Sequence, residues 1–221
     1  MKNVFFVFIV FLSITNTFGQ DSKSDTKVRL GVFIGTNRLT NPGKEKFFEG
    51  ADFNADLGLQ FGLNLNVPIS KIFSFQPEIA FQRIGYSFKG VSYSFQFFDP
   101  VDSSFESISY SNYLQLPLNF KLSLFEKMNL EFGFHLGSLL NSKIKNIETF
   151  RDNNGLLKTT ERIYEDTGRK FIYGTNFGLN YNINKNIYIN LRNTMIIVEG
   201  ATLIQTFNNS VLALNGGYRF N

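Results

Sequence analysis

His135 is the only histidine among 221 residues, and the chain has no cysteine. Any imidazole chemistry must therefore run through that one side chain. A hydrolase or acyltransferase of the nucleophilic kind needs a serine near its histidine and a carboxylate to orient the ring. Glu131 shares an alternation phase with His135, but four residues of extended chain separate them by about 13 Å. Ser138 falls in the opposite phase. One histidine without cysteine is also a poor metal set, so the expectation is no catalytic residue, no metal and no cofactor. Lys121 and Glu131 make a better-founded pair. They are equidistant from Glu126, and a tight hairpin centred there sets them opposite each other on adjoining strands. Glu78 and Arg192 are further candidates for the same buried polar network, with His135 as a bland lumen-facing member. Such a network either holds a wall closed, because an unpaired buried charge costs several kcal/mol, or acts as a gate whose ion pair rearranges.

The elements that must position these residues are strands. Tyr113 to Phe125, YLQLPLNFKLSLF, puts Leu114, Leu116, Leu118, Phe120, Leu122 and Leu124 on one side. Gln115, Pro117, Asn119, Lys121 and Ser123 fall on the other, a period of two. Eight such segments cover the chain: Val28–Asn37, Ala55–Val67, Ile72–Phe88, the quoted stretch from near Ser109, Met128–Leu140, Phe171–Ile183, Ile187–Glu199 and Ser210–Phe220. The phase slips between Phe81 and Ile84, which predicts a bulge. Asn193 falls on the apolar side of its segment. Pro117 cannot donate a ladder bond, which predicts a bulge or a lumen water there, and Pro77 raises the same problem.

Periodicity alone fits a soluble sandwich and a membrane barrel equally well. Connector lengths and the N-terminus separate them. Pro68–Lys71, Glu126–Lys127 and Asn184–Asn186 read as tight turns, whereas Arg38–Asn54, Lys89–Ile108, Asn141–Lys170 and Gly200–Asn209 read as long polar loops. Short turns at one end and long loops at the other are the layout of an outer-membrane barrel, with the turns periplasmic. Within the third long loop, Asn153-Asn154-Gly155 reads as a turn, and the whole is either a binding loop or a solvated extension of its flanking strands. Lys2, the apolar run Val4–Leu12 and small residues at Thr17 and Gly19 predict a cleaved signal peptide over residues 1–19. A linker over 20–27 and a barrel over 28–221 follow it. Mean hydropathy near zero, −0.08, suits a wall in which every second residue meets lipid. The net charge of +4 is spread along the chain, with no basic cluster that would imply a nucleic-acid partner.

The polar phase must be the inside. Lys121 set against lipid near mid-membrane costs roughly 2–4 kcal/mol, and Glu131 and Arg192 add to that, whereas leucine costs nothing there. Glycines such as Gly31, Gly62, Gly133, Gly174 and Gly217 share this polar phase, predicting a narrow, packed lumen rather than an open pore. The fold class expected is all-β, an eight-stranded antiparallel up-and-down transmembrane β-barrel.

Four stretches, QPEIAFQ at Gln76–Gln82, NYLQLPLNFKL at Asn112–Leu122, INLRNT at Ile189–Thr194 and the terminal LNGGYRFN, together resemble the PorT-like outer-membrane β-barrel family of Gram-negative bacteria. YLQLPL and GYRF are the most specific of these. The resemblance spans nearly the whole chain after the leader and implies a small eight-stranded barrel in the cell outer membrane. Its founding member is a protein-secretion accessory, while most relatives have no assigned activity. It further implies contact with outer-membrane lipids and passage through the barrel-assembly machinery, with Tyr218 and Phe220 as the C-terminal assembly signal. A single residue, Asn221, follows the aromatic that usually ends such signals. The function expected is non-enzymatic, exercised through loops or periplasmic turns on a protein partner. The alternatives are an outer-membrane lipid-modifying enzyme, or a secreted soluble β-barrel holding an apolar ligand.

Overall fold

The computed structural model describes residues 27–40, 52–94, 101–151, 156–166, 171–198 and 210–220. The leader 1–19, nearly all of the linker 20–27, the Asn153–Gly155 turn, the loop Gly200–Asn209 and Asn221 lie outside the described residues.

The described residues form ten strands: β1 (Arg29–Leu39), β2 (Asp52–Asp56), β3 (Gly58–Pro68), β4 (Phe73–Ser94), β5 (Val101–Ser123), β6 (Met128–Arg151), β7 (Leu157–Asp166), β8 (Phe171–Asn182), β9 (Ile187–Val198) and β10 (Ser210–Arg219). Eight of them form the wall, in the order β4-β3-β1-β10-β9-β8-β6-β5, and pairing of β5 back onto β4 closes the ring. All pairings are antiparallel, and the first and last strands meet from Gly31↔Arg219 to Leu39↔Val211. Closure leaves no edge among the eight. Tight turns set the register at one end. Ser70 N donates to Phe73 O and Leu124 N to Met128 O. Asn184 Oδ1 accepts from the backbone N–H of Asn186 and Ile187, at 2.9 and 2.7 Å, the side-chain bonding that makes asparagine a turn residue.

The wall is inside-out relative to a soluble protein. Asn119, Glu131, His135 and Asn180 are 0% exposed, while Leu130, Phe134 and Leu179 stand 39%, 63% and 40% exposed. The apolar phase is therefore the outer belt and the polar phase the core. Asn193, in the apolar phase, accepts a hydrogen bond from Ser210 Oγ of the neighbouring strand.

Several expectations need correction. The region Lys89–Ile108, expected as loop, is strand over its described residues, and of the two readings of Asn141–Lys170 the structure shows the extension of the flanking strands. β4, β5 and β6 run 22, 23 and 24 residues, about twice the 9–11 needed to cross a bilayer. Their surplus, with β7 on one flank and β2 on the other, continues the sheet beyond the loop end of the barrel. Cross-strand polar pairs made this region look like loop: Lys89–Glu106, Lys143–Glu165 and Lys145–Glu161 each lie at 3.0 Å.

No bulge lies between Phe81 and Ile84. β4 pairs with β5 in one register on both sides of that point, and Gln82 and Ile84 both face the lumen. The phase appeared to slip because Ile84 is an apolar residue on the inner face. The extra residue is in the partner strand instead: Asp56↔Gly85 and Gln60↔Gln82 are one residue out of step, which leaves Leu57 surplus. A second irregularity falls at Asn112/Tyr113 against β6.

Nor does Pro117 bulge. It pairs with His135 in unbroken register. The disturbance lies on its other side. The β4–β5 pairing stops at Pro77↔Leu118 and resumes at Ala80↔Gln115, passing over Glu78 and Ile79. The β3–β4 pairing stops at Asn64↔Glu78 and resumes at Val67↔Phe75, passing over Gln76 and Pro77. Two prolines, each without an N–H, thus loosen β4 on both flanks at the height of Glu78.

Candidate functional site

The lumen is the only place where the fold gathers ionisable side chains out of water among the described residues. Glu78 comes from β4, Lys121 from β5, Glu131 from β6, Arg192 from β9 and Arg219 from β10, each inward because it occupies the polar phase of its strand. Arg192 is the hub. Its Nη1 and Nη2 donate to the two oxygens of Glu78 at 2.8 and 2.7 Å, and its Nε donates to Glu131 Oε1 at 2.6 Å. The planar fork of arginine allows one residue to hold a carboxylate in a bidentate grip and a second one from its Nε edge. Lys121 Nζ lies 3.6 Å from Glu131 Oε2 and 5.3 Å from the Tyr188 ring centroid.

Around this hub runs a relay of amides. Gln115 donates to Gln82, Gln82 to Gln60, Gln60 to Asn215, Asn215 to Asn190, and Asn190 to Glu131 Oε2. The bonds cross from β5 through β4, β3, β10 and β9 to β6 and end on a carboxylate, so each amide dipole points toward the negative charge and polarises the next. None of these five amides was singled out from sequence. Their position in the inward phase was the available signal.

Below the hub, toward the turns, Arg219 stacks on Tyr188 at 4.4 Å and donates to Asn182 Oδ1 at 2.9 Å. Above it, toward the loops, the lumen turns apolar: Ile84, Ile172, Ile196 and Val211 pack together, with Leu39 and Tyr113 against them. A lumen polar throughout was expected, so this cluster is a further departure. Ile84 and Ile196 follow polar inward neighbours, Gln82 and Thr194, and a short apolar patch inside a polar phase gives alternation little to reveal.

His135 stands four residues from Glu131 toward the loop end, fully buried. A Cβ on Gly174 would come within 2.7 Å of its Cε1, so the ring fills space that glycine leaves. Among the described residues no group of acids and histidine has the arrangement of a metal site. Tyr218 and Phe220 lie on the outer wall at the turn end, rings edge-on at 5.3 Å, with Phe220 N donating to Leu30 O. The structure therefore brings together Glu78, Lys121, Glu131 and Arg192, and leaves His135, Tyr218 and Phe220 elsewhere. The arrangement gathers buried charges and amides in mutual contact. It can brace a wall and exclude solutes.

The sequence of residues 18–195 matches the model of the outer membrane protein beta-barrel domain family. No curated protein matches the chain. Among solved structures, the attachment invasion locus protein Ail of Yersinia pestis is 14% identical, covering 87% of this chain and 97% of its own, at a TM-score of 0.38. OprG of Pseudomonas aeruginosa is 9% identical over 91% of this chain and 100% of its own, TM-score 0.38. Neisserial surface protein A is 13% identical over 86% and 95%, TM-score 0.35.

Proposed function

The chain belongs to the outer membrane protein beta-barrel domain family and so resides in the cell outer membrane with its apolar belt in lipid; on that premise, we infer that it is a non-enzymatic, solute-tight barrel that works as a platform. Its working surface is the sheet that β4–β7 raise beyond the loop end, which is the outer face of the membrane in barrels of this layout. The observation that carries the reading is a contrast. The lumen is spent on bracing, whereas about ten residues of each of β4, β5 and β6 are built past what crossing requires.

Export through cleavage of residues 1–19 and insertion by the barrel-assembly machinery, guided by Tyr218 and Phe220, belong to the same proposal. So does the PorT-like resemblance, which favours a secretion or envelope accessory acting on a protein partner. The lipid-modifying alternative is weaker because His135, the one histidine, is fully buried against Gly174, beyond the reach of a lipid ester.

The test is to replace residues 88–105 with a short glycine-rich turn, which strips the outermost part of the β4 and β5 extensions. The trimmed barrel should still shift on heating in gels, yet lose the proteins that co-purify with the full chain after mild detergent extraction. Retention of every partner by the trimmed barrel would overturn the platform reading.

A further inference from the structure

At the turn end the lumen opens into a cavity of about 160 Å³ whose lining includes Lys71, Lys121 and Arg219, with no acidic residue in its wall. Lys121 and Arg219 are 3% and 7% exposed, so they are built into the floor. Lys121 Nζ makes no hydrogen bond, and neither does Arg219 Nε. The carboxylate in contact with Lys121 is Glu131 at 3.6 Å, and that group is already engaged by Arg192 at 2.6 Å. Counting the buried charges of the lumen, Glu78 and Glu131 face Arg192, Lys121 and Arg219, which leaves one cation in excess, and the excess sits at this mouth. A buried cation without a full partner is costly, and it lowers that cost by taking an anion from solution.

We propose that this turn-end cavity binds a phosphate-class oxyanion, entering from the periplasmic side. Lys121 and Arg219 hold it from the floor, and Lys71, on the turn between β3 and β4, closes over it. Ser70, Ser74 and Ser123 also line the cavity; the Ser123 hydroxyl is donated to Asn129, and the two buried cations differ in geometry, one a point charge and one a fork. The ligand is either free phosphate or the phosphomonoester of a lipid headgroup reaching over the rim, since the mouth lies level with the inner face of the membrane. The site is separate from the outer sheet and stands whether or not that sheet has a partner.

The experiment is isothermal titration of the full chain, purified in a non-ionic detergent, with inorganic phosphate and with short-chain phosphatidate. Saturable binding of phosphate identifies the free ion as the ligand, and saturation by phosphatidate alone identifies the headgroup. Lys71 is on an exposed turn, so Lys71→Gln should leave the barrel folded, judged by its heat-dependent gel shift, and weaken binding about tenfold. Lys121→Met should abolish binding, and its folding can be read by the same shift. Absence of saturable binding with both probes would overturn the proposal, as would equal binding by the wild type and Lys71→Gln, which would mark an adventitious ion only.

Discussion

Lys121 lies directly across from Glu131 in the β5–β6 register, yet Glu131 gives its closest contact to Arg192, two strands away around the wall, past β8. Cross-strand adjacency sets the pair side by side, but guanidinium geometry decides which cation takes the carboxylate. Double-mutant cycles on unfolding should reproduce that ranking. Arg192→Met leaves Glu78 and Glu131 together without their cation and should cost about 3–5 kcal/mol. Coupling of Arg192 with Glu131 should exceed that of Lys121 with Glu131 by ~1 kcal/mol or more, as charge-assisted hydrogen bonds outrank a looser contact. Equal coupling energies would mean that the hub is misassigned.

The inside-out wall predicts a sharp alternation in accessibility. With no native cysteine, single cysteines at Leu130, Phe132, Leu179, Asn119 and Asn180 can carry spin labels without background. The first three should collide with oxygen dissolved in lipid. The two asparagine positions should report neither lipid nor bulk water. Lipid contact at Asn119 together with none at Leu130 would reverse the wall.

The apolar cluster above the hub predicts a tight barrel. In planar bilayers the wild type should show no steady nanosiemens conductance. Ile172→Ala combined with Ile196→Ala truncates two of the cluster's four buried members, at about 2–5 kcal/mol per site, and should admit brief, small openings if the barrel still inserts. A stable large pore in the wild type would contradict the packing of the lumen.

Gly217 is shaped by one neighbour. A Cβ there would collide with three atoms of the Tyr188 ring and nothing nearer. Gly217→Ala should destabilise the barrel by roughly 1–3 kcal/mol through overpacking. Adding Tyr188→Leu should recover part of that loss, so the double variant is less impaired than the sum of the singles. Strict additivity in urea unfolding would show that the ring moves aside unaided.

The proline-flanked part of β4 predicts a local weak point in the ladder. Amides of Glu78 and Ile79, passed over in the pairing with β5, should exchange with deuterium earlier than those of Asn190 and Leu191, which sit in continuous ladders on both sides. Uniform protection of all four would remove the seam.

Alternation made the eight wall strands legible because a lipid-facing phase and a polar lumen differ in every second residue, as from Leu114 to Leu124. The hairpin register was readable for a related reason: two residues at Glu126 and Lys127 leave little freedom in the pairing of Lys121. The strand extensions were half legible, Asn141–Lys170 as one of two readings and Lys89–Ile108 only as loop. Above the membrane the faces meet water, so Ser103 to Ser107 carries no apolar phase and reads as loop. Ile84 misled for the opposite reason, since an apolar residue facing inward reads as a change of phase. The hub itself required three strands distant in sequence to be placed together, and nothing local to Arg192 says that it reaches both Glu78 and Glu131.

Arg192 lies in the second-to-last strand, 114 residues after Glu78 and 61 after Glu131. Until that strand arrives, the growing wall holds two inward carboxylates near each other with no guanidinium between them. Lys121 is by then already beside Glu131, but the bidentate grip on Glu78 waits for the final hairpin, so the hub reaches its full strength only once the C-terminal strands have docked.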